Sequence, residues 1–242
     1  MERREYERLA IAEERGWWFR GLHANLIRAW QERARAGDAV LLDAGCGTGG
    51  LLTRLAEAAP LARRYGLEFD VGAAETARAK SGAALMVASV LAPPLAPQCC
   101  DAIFSADVLC HRGIEPAAAL AALAPCLKPR GLLVLNLPAY RWLFSGHDRA
   151  VDNVRRFGAG EVRALLRAAG LIEIRIAYWN SLLFPLMVAQ RLLHRGAKSD
   201  VELLPPLVER LFGSILRCEL SLAACGLRLP FGGSILATAV KP

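Results

Sequence analysis

The sequence predicts an α/β protein on a doubly wound, mostly parallel seven-stranded sheet, with N-terminal helices and a helical insert before the last strand. Three observations lead there. From residue 38 onward, short apolar runs alternate with helical segments, the pattern of repeated βα units. The run Leu132-Leu133-Val134-Leu135 is apolar on both faces, as a central parallel strand must be. Val40-Leu41-Leu42-Asp43 runs through Gly45-Cys46-Gly47-Thr48-Gly49-Gly50 into Leu51-Leu52-Thr53-Arg54-Leu55, which reads as a buried strand, a glycine-rich turn and a helix start.

The elements follow in order. Residues 1–37 form an N-terminal helical lid that ends near Gly37-Asp38. The core sheet spans residues 38–178. Strands are expected at 40–43, 64–69, 84–88, 101–106 and 132–137, with helices at 50–59, 73–80 and 117–127 between them. Lys128-Pro129-Arg130-Gly131 is a turn signal after the third of these helices. A helix at 160–169 stops at Gly170, and the period-two run 171–176 predicts a sixth strand with one face toward water. Residues 231–242 carry the last strand, at 235–240. Residues 179–230 form a helical insert or cap, all within a single domain of 242 residues. In the insert, 182–193 is an apolar helical stretch. After Pro205-Pro206, Leu207, Leu211, Ile215, Cys218 and Leu222 recur at helical spacing. Such helices pack on the body, or cap an apolar substrate and touch a membrane surface.

The net charge of +7 comes from arginine, because lysine occurs only at Lys80, Lys128, Lys198 and Lys241. The arginines are scattered among acids, as in Met1-Glu2-Arg3-Arg4-Glu5-Tyr6-Glu7-Arg8, so no nucleic-acid partner is expected. Peripheral contact with an anionic or membrane surface stays open. The seven cysteines make no C-x-x-C pair and no zinc spacing with histidine, which predicts free buried thiols and no metal site. The charged start lacks a secretory apolar core, prolines 93, 94 and 97 break the longest uncharged run, and 176–190 is short for a span. The expectation is a cytoplasmic protein without a transmembrane segment.

Gly45, Gly47 and Gly50 satisfy G-x-G-x-x-G, a fingerprint for dinucleotides. The Asp43 carboxylate would repel phosphates and suits a cofactor that carries positive charge. The stretch resembles motif I of the class I S-adenosylmethionine (SAM)-dependent methyltransferases. The resemblance implies that Asp43 lies near the methionine end of SAM and that Gly45, Cys46, Gly47 and Gly49 let the cofactor approach the backbone. Gly66-Leu67-Glu68-Phe69-Asp70 is similar to the family's second-strand motif. It gives Glu68 to the ribose hydroxyls, with Phe69 beside it in the cofactor site and Asp70 as a helix cap. Cys100-Asp101-Ala102-Ile103-Phe104-Ser105-Ala106-Asp107-Val108-Leu109-Cys110-His111 resembles the fourth-strand pattern, which implies that Ser105, Ala106 and Asp107 lie under the sulfonium and methyl group. Leu127-Lys128-Pro129-Arg130-Gly131-Leu132 resembles a further hallmark. Where the family commonly has Gly-Asp near adenine, this chain has Ala88-Ser89-Val90, so adenine falls to Ser89 or to the backbone of Val90.

Past residue 140 the chain resembles a bacterial subgroup with an H-D…H-x-R-R-[FY] segment. It has His147-Asp148, then Asn153-Val154-Arg155-Arg156-Phe157, with Asn153 at the second histidine. This implies His147 as candidate catalytic base and Asp148 as its orienting partner, against a local structural role for both. Arg155 and Arg156 are candidates for an anionic substrate group, and His111 for the pocket. Trp17-Trp18-Phe19-Arg20 reads as a lid, with Trp18 and Phe19 toward the substrate. The implied reaction is methyl transfer from SAM to a small or lipid-like acceptor at oxygen, releasing S-adenosylhomocysteine. Two alternatives stand beside it: an NAD(P)-dependent oxidoreductase using the same glycines and Glu68, and a catalytically silent SAM-fold protein. An RNA methyltransferase is disfavoured, because no N-P-P-Y-like tetrapeptide follows the fourth strand.

Overall fold

The computed structural model of the chain describes residues 10–34, 39–193 and 204–242. Residues 1–9 and Gly37-Asp38, where the lid was expected to begin and end, lie outside the described residues. Residues 10–15 are helical. There follow α1 (Trp17–Gln31), β1 (Val40–Ala44), α2 (Gly50–Ala58), β2 (Arg63–Glu68), α3 (Val71–Ser81), β3 (Ala84–Val87) and β4 (Cys100–Ala106). The second half holds α4 (Pro116–Leu123), β5 (Leu127–Pro138), α5 (Gly146–Ala150), α6 (Ala159–Ala168), β6 (Ile172–Trp179), α7 (Phe184–Leu193), α8 (Pro206–Ala224) and β7 (Ser234–Val240).

The seven strands pair in the order β3-β2-β1-β4-β5-β7-β6. All pairings are parallel except those of β7, which runs antiparallel between β5 and β6. The order reverses at β1, with β2 on one side and β4 on the other, so the carboxyl end of β1 is the switch point where such sheets bind ligands. Both faces of the sheet are covered, and alternate residues supply two cores. Leu42, Ile103 and Leu133 pack under α4 and α6, with Leu120, Leu123 and Leu166. Leu41, Phe104 and Val134 pack under α1, α2 and α8, with Leu26, Leu55 and Leu216. This two-sided burial is why the strands read as continuous apolar runs.

The structure corrects several boundaries. Pro116 opens α4, and a 3-10 turn at Ala124–Cys126, with Pro125 inside it, ends the helix short of the expected 127. The expected turn at 128–131 lies inside β5. Leu127 pairs with Cys100 and Leu132 with Ala102, so the intervening residues bulge out with Arg130 at φ +64°. Both sides of the bulge stay tied to the chain end, Arg130 N–H donating to the Lys241 carbonyl and Lys241 N–H to that of Gly131. β6 runs on to Trp179, past the expected 176, because its far half stays paired with β7.

The largest correction concerns α8. Its packing face is Phe212, Gly213, Leu216 and Glu219, set against α1, where a Cβ on Gly21 would sit 2.0 Å from Leu216 Cδ2. Burial of Leu216 alone is worth about 2 kcal/mol. Glu209 accepts from Trp17 N at 2.7 Å, and Glu219 from the backbone N–H groups of Ser181 and Leu182 at 2.8 and 3.0 Å. The stripe of Leu207, Leu211, Cys218 and Leu222 faces away from the body, with Ile215 half-buried at its edge, so the helix packs through residues other than the stripe. Leu207 is 79% exposed and Leu211 55%. Cys218 and Cys225 are exposed too, in contrast to the buried thiols expected, and all seven cysteines are free.

Candidate active site

The turn after β1 is built from positive-φ glycines, Gly45 at +85° and Gly49 at +83°. Its tightness is steric as well as conformational. A Cβ on Gly45 would lie 2.3 Å from Val108 Cγ2, and one on Gly49 would lie 2.9 Å from the Ala77 Cα of α3. The N–H groups of Gly45 and Cys46 donate to the Leu67 carbonyl, which fixes the turn beside β2. Glu68 then spans the gap: its two oxygens accept from Gly47 N at 2.9 Å and Asp70 N at 3.0 Å. Asp70 caps α3 through Ala73 N, as the sequence implied.

Sequence reasoning missed Glu13. From the helical residues 10–15 it reaches under the turn, accepting from Thr48 Oγ1 and from Gly50 N at 3.0 Å, with Lys80 Nζ at 3.6 Å. It therefore fills the anion site at the start of α2. No motif marks it, because its partner lies 37 residues away. His23 was missed as well. It is buried against Gly50, its Nδ1 has no hydrogen-bond partner among the described residues, and burial, helped by the charges of Arg54 and Lys80, lowers its pKa to about 3, leaving it neutral.

Asp43 is 3% exposed at the end of β1. Burial, with the nearby charges of Glu13 and Glu68, pushes its carboxyl well above the ordinary range. Burial likewise raises Glu13, though Thr48, Lys80 and the backbone of Gly50 pull the other way. Three carboxylates thus surround one glycine turn, a field that repels phosphate and attracts a cation. Cys46 is buried in the turn, and burial followed by the Asp43 charge keeps its thiol protonated. Phe69 is 78% exposed at the rim beside Glu68, Ser89 is half-buried and Val90 buried.

At the carboxyl end of β4, Ser105 is buried and its Oγ has no hydrogen-bond partner among the described residues. Ala106 is half-buried, and Asp107 turns the chain at φ +55°. Both Asp107 oxygens accept from Asn136 Nδ2 at 3.0 Å, Asn136 Oδ1 accepts from Trp179 Nε1 at 2.7 Å, and Trp179 stacks on Trp18 at 4.8 Å. Burial pushes the Asp107 carboxyl up to about 7, opposed by the Asn136 hydrogen bond. Trp18 and its neighbour Phe19 are partly buried on α1, so this chain of contacts runs from the N-terminal helix to the sheet edge.

The substrate-side expectations fare differently. Asp148 is fully buried in α5, and its oxygens accept from Arg156 Nε, Arg191 Nη1 and Ser145 N at 2.8, 2.8 and 2.9 Å. Burial alone would raise its carboxyl; the Arg156 hydrogen bond and the charges of Arg156 and Arg191 outweigh it and hold the group low. Arg156, expected at a substrate anion, is itself buried and also donates to the Ala139 carbonyl at 3.0 Å. These two residues form an interior ion-pair network, which a solvent-facing reading of the basic pair could not show. Arg155 is the outward member, 3.6 Å from Glu115. His147 is half-buried on α5, and His111 is half-buried in a backbone bridge with Asn153.

Fold and site together define an α/β domain with a glycine turn at the switch point of its sheet, ringed by the carboxyl groups of Glu13, Asp43 and Glu68. Residues 42–135 match the methyltransferase domain family. That match covers less than half of the chain, and the fold is the one shared by class I SAM-dependent methyltransferases of known structure. Among solved structures it is similar to a SAM-dependent methyltransferase of Thermotoga maritima, described as a possible histamine N-methyltransferase. That match has 18% identity and a TM-score of 0.63, and it covers 99% of this chain and 95% of that one. A SAM-dependent methyltransferase of Archaeoglobus fulgidus matches at 15% identity and TM-score 0.61, covering 91% and 93%. The geranyl diphosphate C-methyltransferase of Streptomyces coelicolor, solved with Mg2+, a thiolo analogue of its substrate and S-adenosylhomocysteine, matches at 15% and 0.60, covering 90% and 76%. No curated protein sequence matches the chain.

Proposed function

We propose that this methyltransferase acts on an oxygen of a small or lipid-like acceptor, and that Asp107 takes the acceptor's proton. The observation that carries the reading is Asp107 itself: a half-buried carboxylate at the carboxyl edge of the sheet, oriented by Asn136, with a pKa raised to about 7. A base with that pKa holds and releases a proton near neutral pH, which an acceptor hydroxyl requires. Bound SAM supplies an activated methyl group, because its positive sulfur leaves as a neutral thioether. Asp43 and Glu13 favour the cationic end of the cofactor through their charge, and Glu68 is placed for the ribose hydroxyls. Ser89 and Val90 stand at the adenine end with Phe69 at the rim. Ser105 Oγ offers a free hydrogen bond beside Asp107. Trp18, stacked on Trp179, closes the site from the α1 side and excludes water, so that alignment supplies most of the rate. As the bond from sulfur to methyl breaks, the bond from methyl to acceptor oxygen forms, and the hydroxyl proton passes to an Asp107 oxygen.

The test is transfer from methyl-labelled SAM to a panel of hydroxyl, amine and carbon acceptors, with the labelled product identified by mass. An O-methyl product lost in Asp107→Asn and kept in His147→Ala supports the reading. An N- or C-methyl product overturns the oxygen assignment, and full activity in Asp107→Asn overturns the base.

A further inference from the structure

We propose that the outer face of α8 docks this protein onto an anionic lipid surface. The helix has 19 residues, and its two acids both turn inward, Glu209 onto Trp17 and Glu219 onto Ser181 and Leu182. No acidic side chain is left on the outer face. What remains there is the stripe of Leu207, Leu211, Cys218 and Leu222, with Ile215 half-buried at its edge and Leu222 40% exposed. Along one flank of the stripe run Arg210, Ser214, Arg217 and Ser221, a basic and hydroxyl row parallel to the leucines. Leu204 before the helix and Leu227, Leu229 and Phe231 after it extend the exposed apolar surface.

A leucine stripe beside arginines, without acids, is the composition of a helix that lies in the plane of a membrane, with its apolar side at the acyl boundary and its cations at anionic headgroups. No helix among the described residues is long and apolar enough to cross the bilayer, so the contact is a surface one. A second copy of this chain fits less well, because a like face would set Arg210 and Arg217 against the same arginines. The net charge of +7 acts in the same direction. This surface lies outside the cofactor site and does not depend on which acceptor atom is methylated.

The experiment is co-sedimentation of the whole protein with vesicles of phosphatidylcholine alone and of phosphatidylcholine mixed with phosphatidylglycerol, without SAM. The wild type is expected to sediment with the anionic vesicles and stay free of the neutral ones. Leu207→Ser with Leu211→Ser, and separately Arg210→Glu with Arg217→Glu, are expected to weaken binding by about tenfold or more. SAM binding by calorimetry should be unchanged in both, which shows that they are folded. Absence of binding to anionic vesicles overturns the proposal, as does undiminished binding by either double variant or equal binding to both vesicle types. A concentration-dependent dimer that the leucine variant loses, without vesicle binding, assigns the face to a second copy and overturns it too.

Discussion

Asp107→Asn should make the protein more stable and less active, and the stability change should depend on pH. The Asp107 carboxyl has its pKa raised to about 7 against an ordinary 3.8, chiefly by burial. Three units at about 1.36 kcal/mol each make ionisation in the folded state cost about 4 kcal/mol. The folded state therefore holds a proton that the unfolded chain has released, so wild-type stability falls as pH rises from about 4 to about 7. Asparagine keeps the shape and one acceptor for Asn136, and it carries no charge to desolvate. Urea unfolding of the cofactor-free protein should give nearly equal stabilities for the two proteins at pH 4. By pH 8 the variant should be ahead by about 4 kcal/mol, or roughly 10 °C in Tm. Parallel stability curves from pH 4 to 8 would refute both the raised Asp107 pKa and the base built on it. A stable, SAM-binding variant with methyl transfer reduced by about a hundredfold or more completes the expectation.

Three further outcomes follow from the same geometry. A bound cation should return the Asp43 carboxyl toward its ordinary range, so SAM binding should release a proton and tighten as pH rises above that range. Calorimetry in two buffers of different ionisation enthalpy checks this, and Asp43→Asn should bind about tenfold or more weakly without the linkage. Arg156→Ala should destabilise by about 3–5 kcal/mol, because it leaves a fully buried Asp148 carboxylate with one arginine fewer; a loss under 1 kcal/mol by denaturant titration would mean the network is dispensable. Trp179→Phe keeps a ring for Trp18 and removes the 2.7 Å donor to Asn136, so kcat should fall by about fivefold with the KM for SAM little changed.

The glycine turn and its flanking elements were legible because they are local. A strand end, a glycine turn and a helix start lie within eleven residues, and Glu68 ends the neighbouring strand of the same βα pattern. Periodicity placed the strands for the same reason. What pattern could not supply were contacts between distant segments. Glu13 reaches the turn from 37 residues away, and Asp148 is held by Arg156 and Arg191, eight and 43 residues further along the chain. The Arg155-Arg156 pair shows the limit well: two identical side chains in adjacent positions, one buried and one turned out, are indistinguishable until the fold orients them. The α8 stripe fails differently. Helical spacing reports that a helix has an apolar side, and burial is only the commonest reason for one. Gly213, Leu216 and the capping acids Glu209 and Glu219 held the packing face instead, and two acids are a poor sequence signal for burial.

Those two acids also connect the surface to the chemistry. Glu209 fixes the first N–H of α1 and Glu219 fixes the residues just after β6, so α8 joins the two segments that carry Trp18 and Trp179. Changes on the inner face of α8 therefore act on the Trp18–Trp179 stack, and through Asn136 on Asp107. Changes on the outer face leave those bonds intact. Glu209→Gln should thus lower kcat, through a loosened α1, while leaving vesicle binding in place; Leu207→Ser should do the reverse. If both substitutions moved both readouts together, α8 would be acting as one unit through the stability of the whole fold, and thermal unfolding of the two variants separates that case from the coupled one.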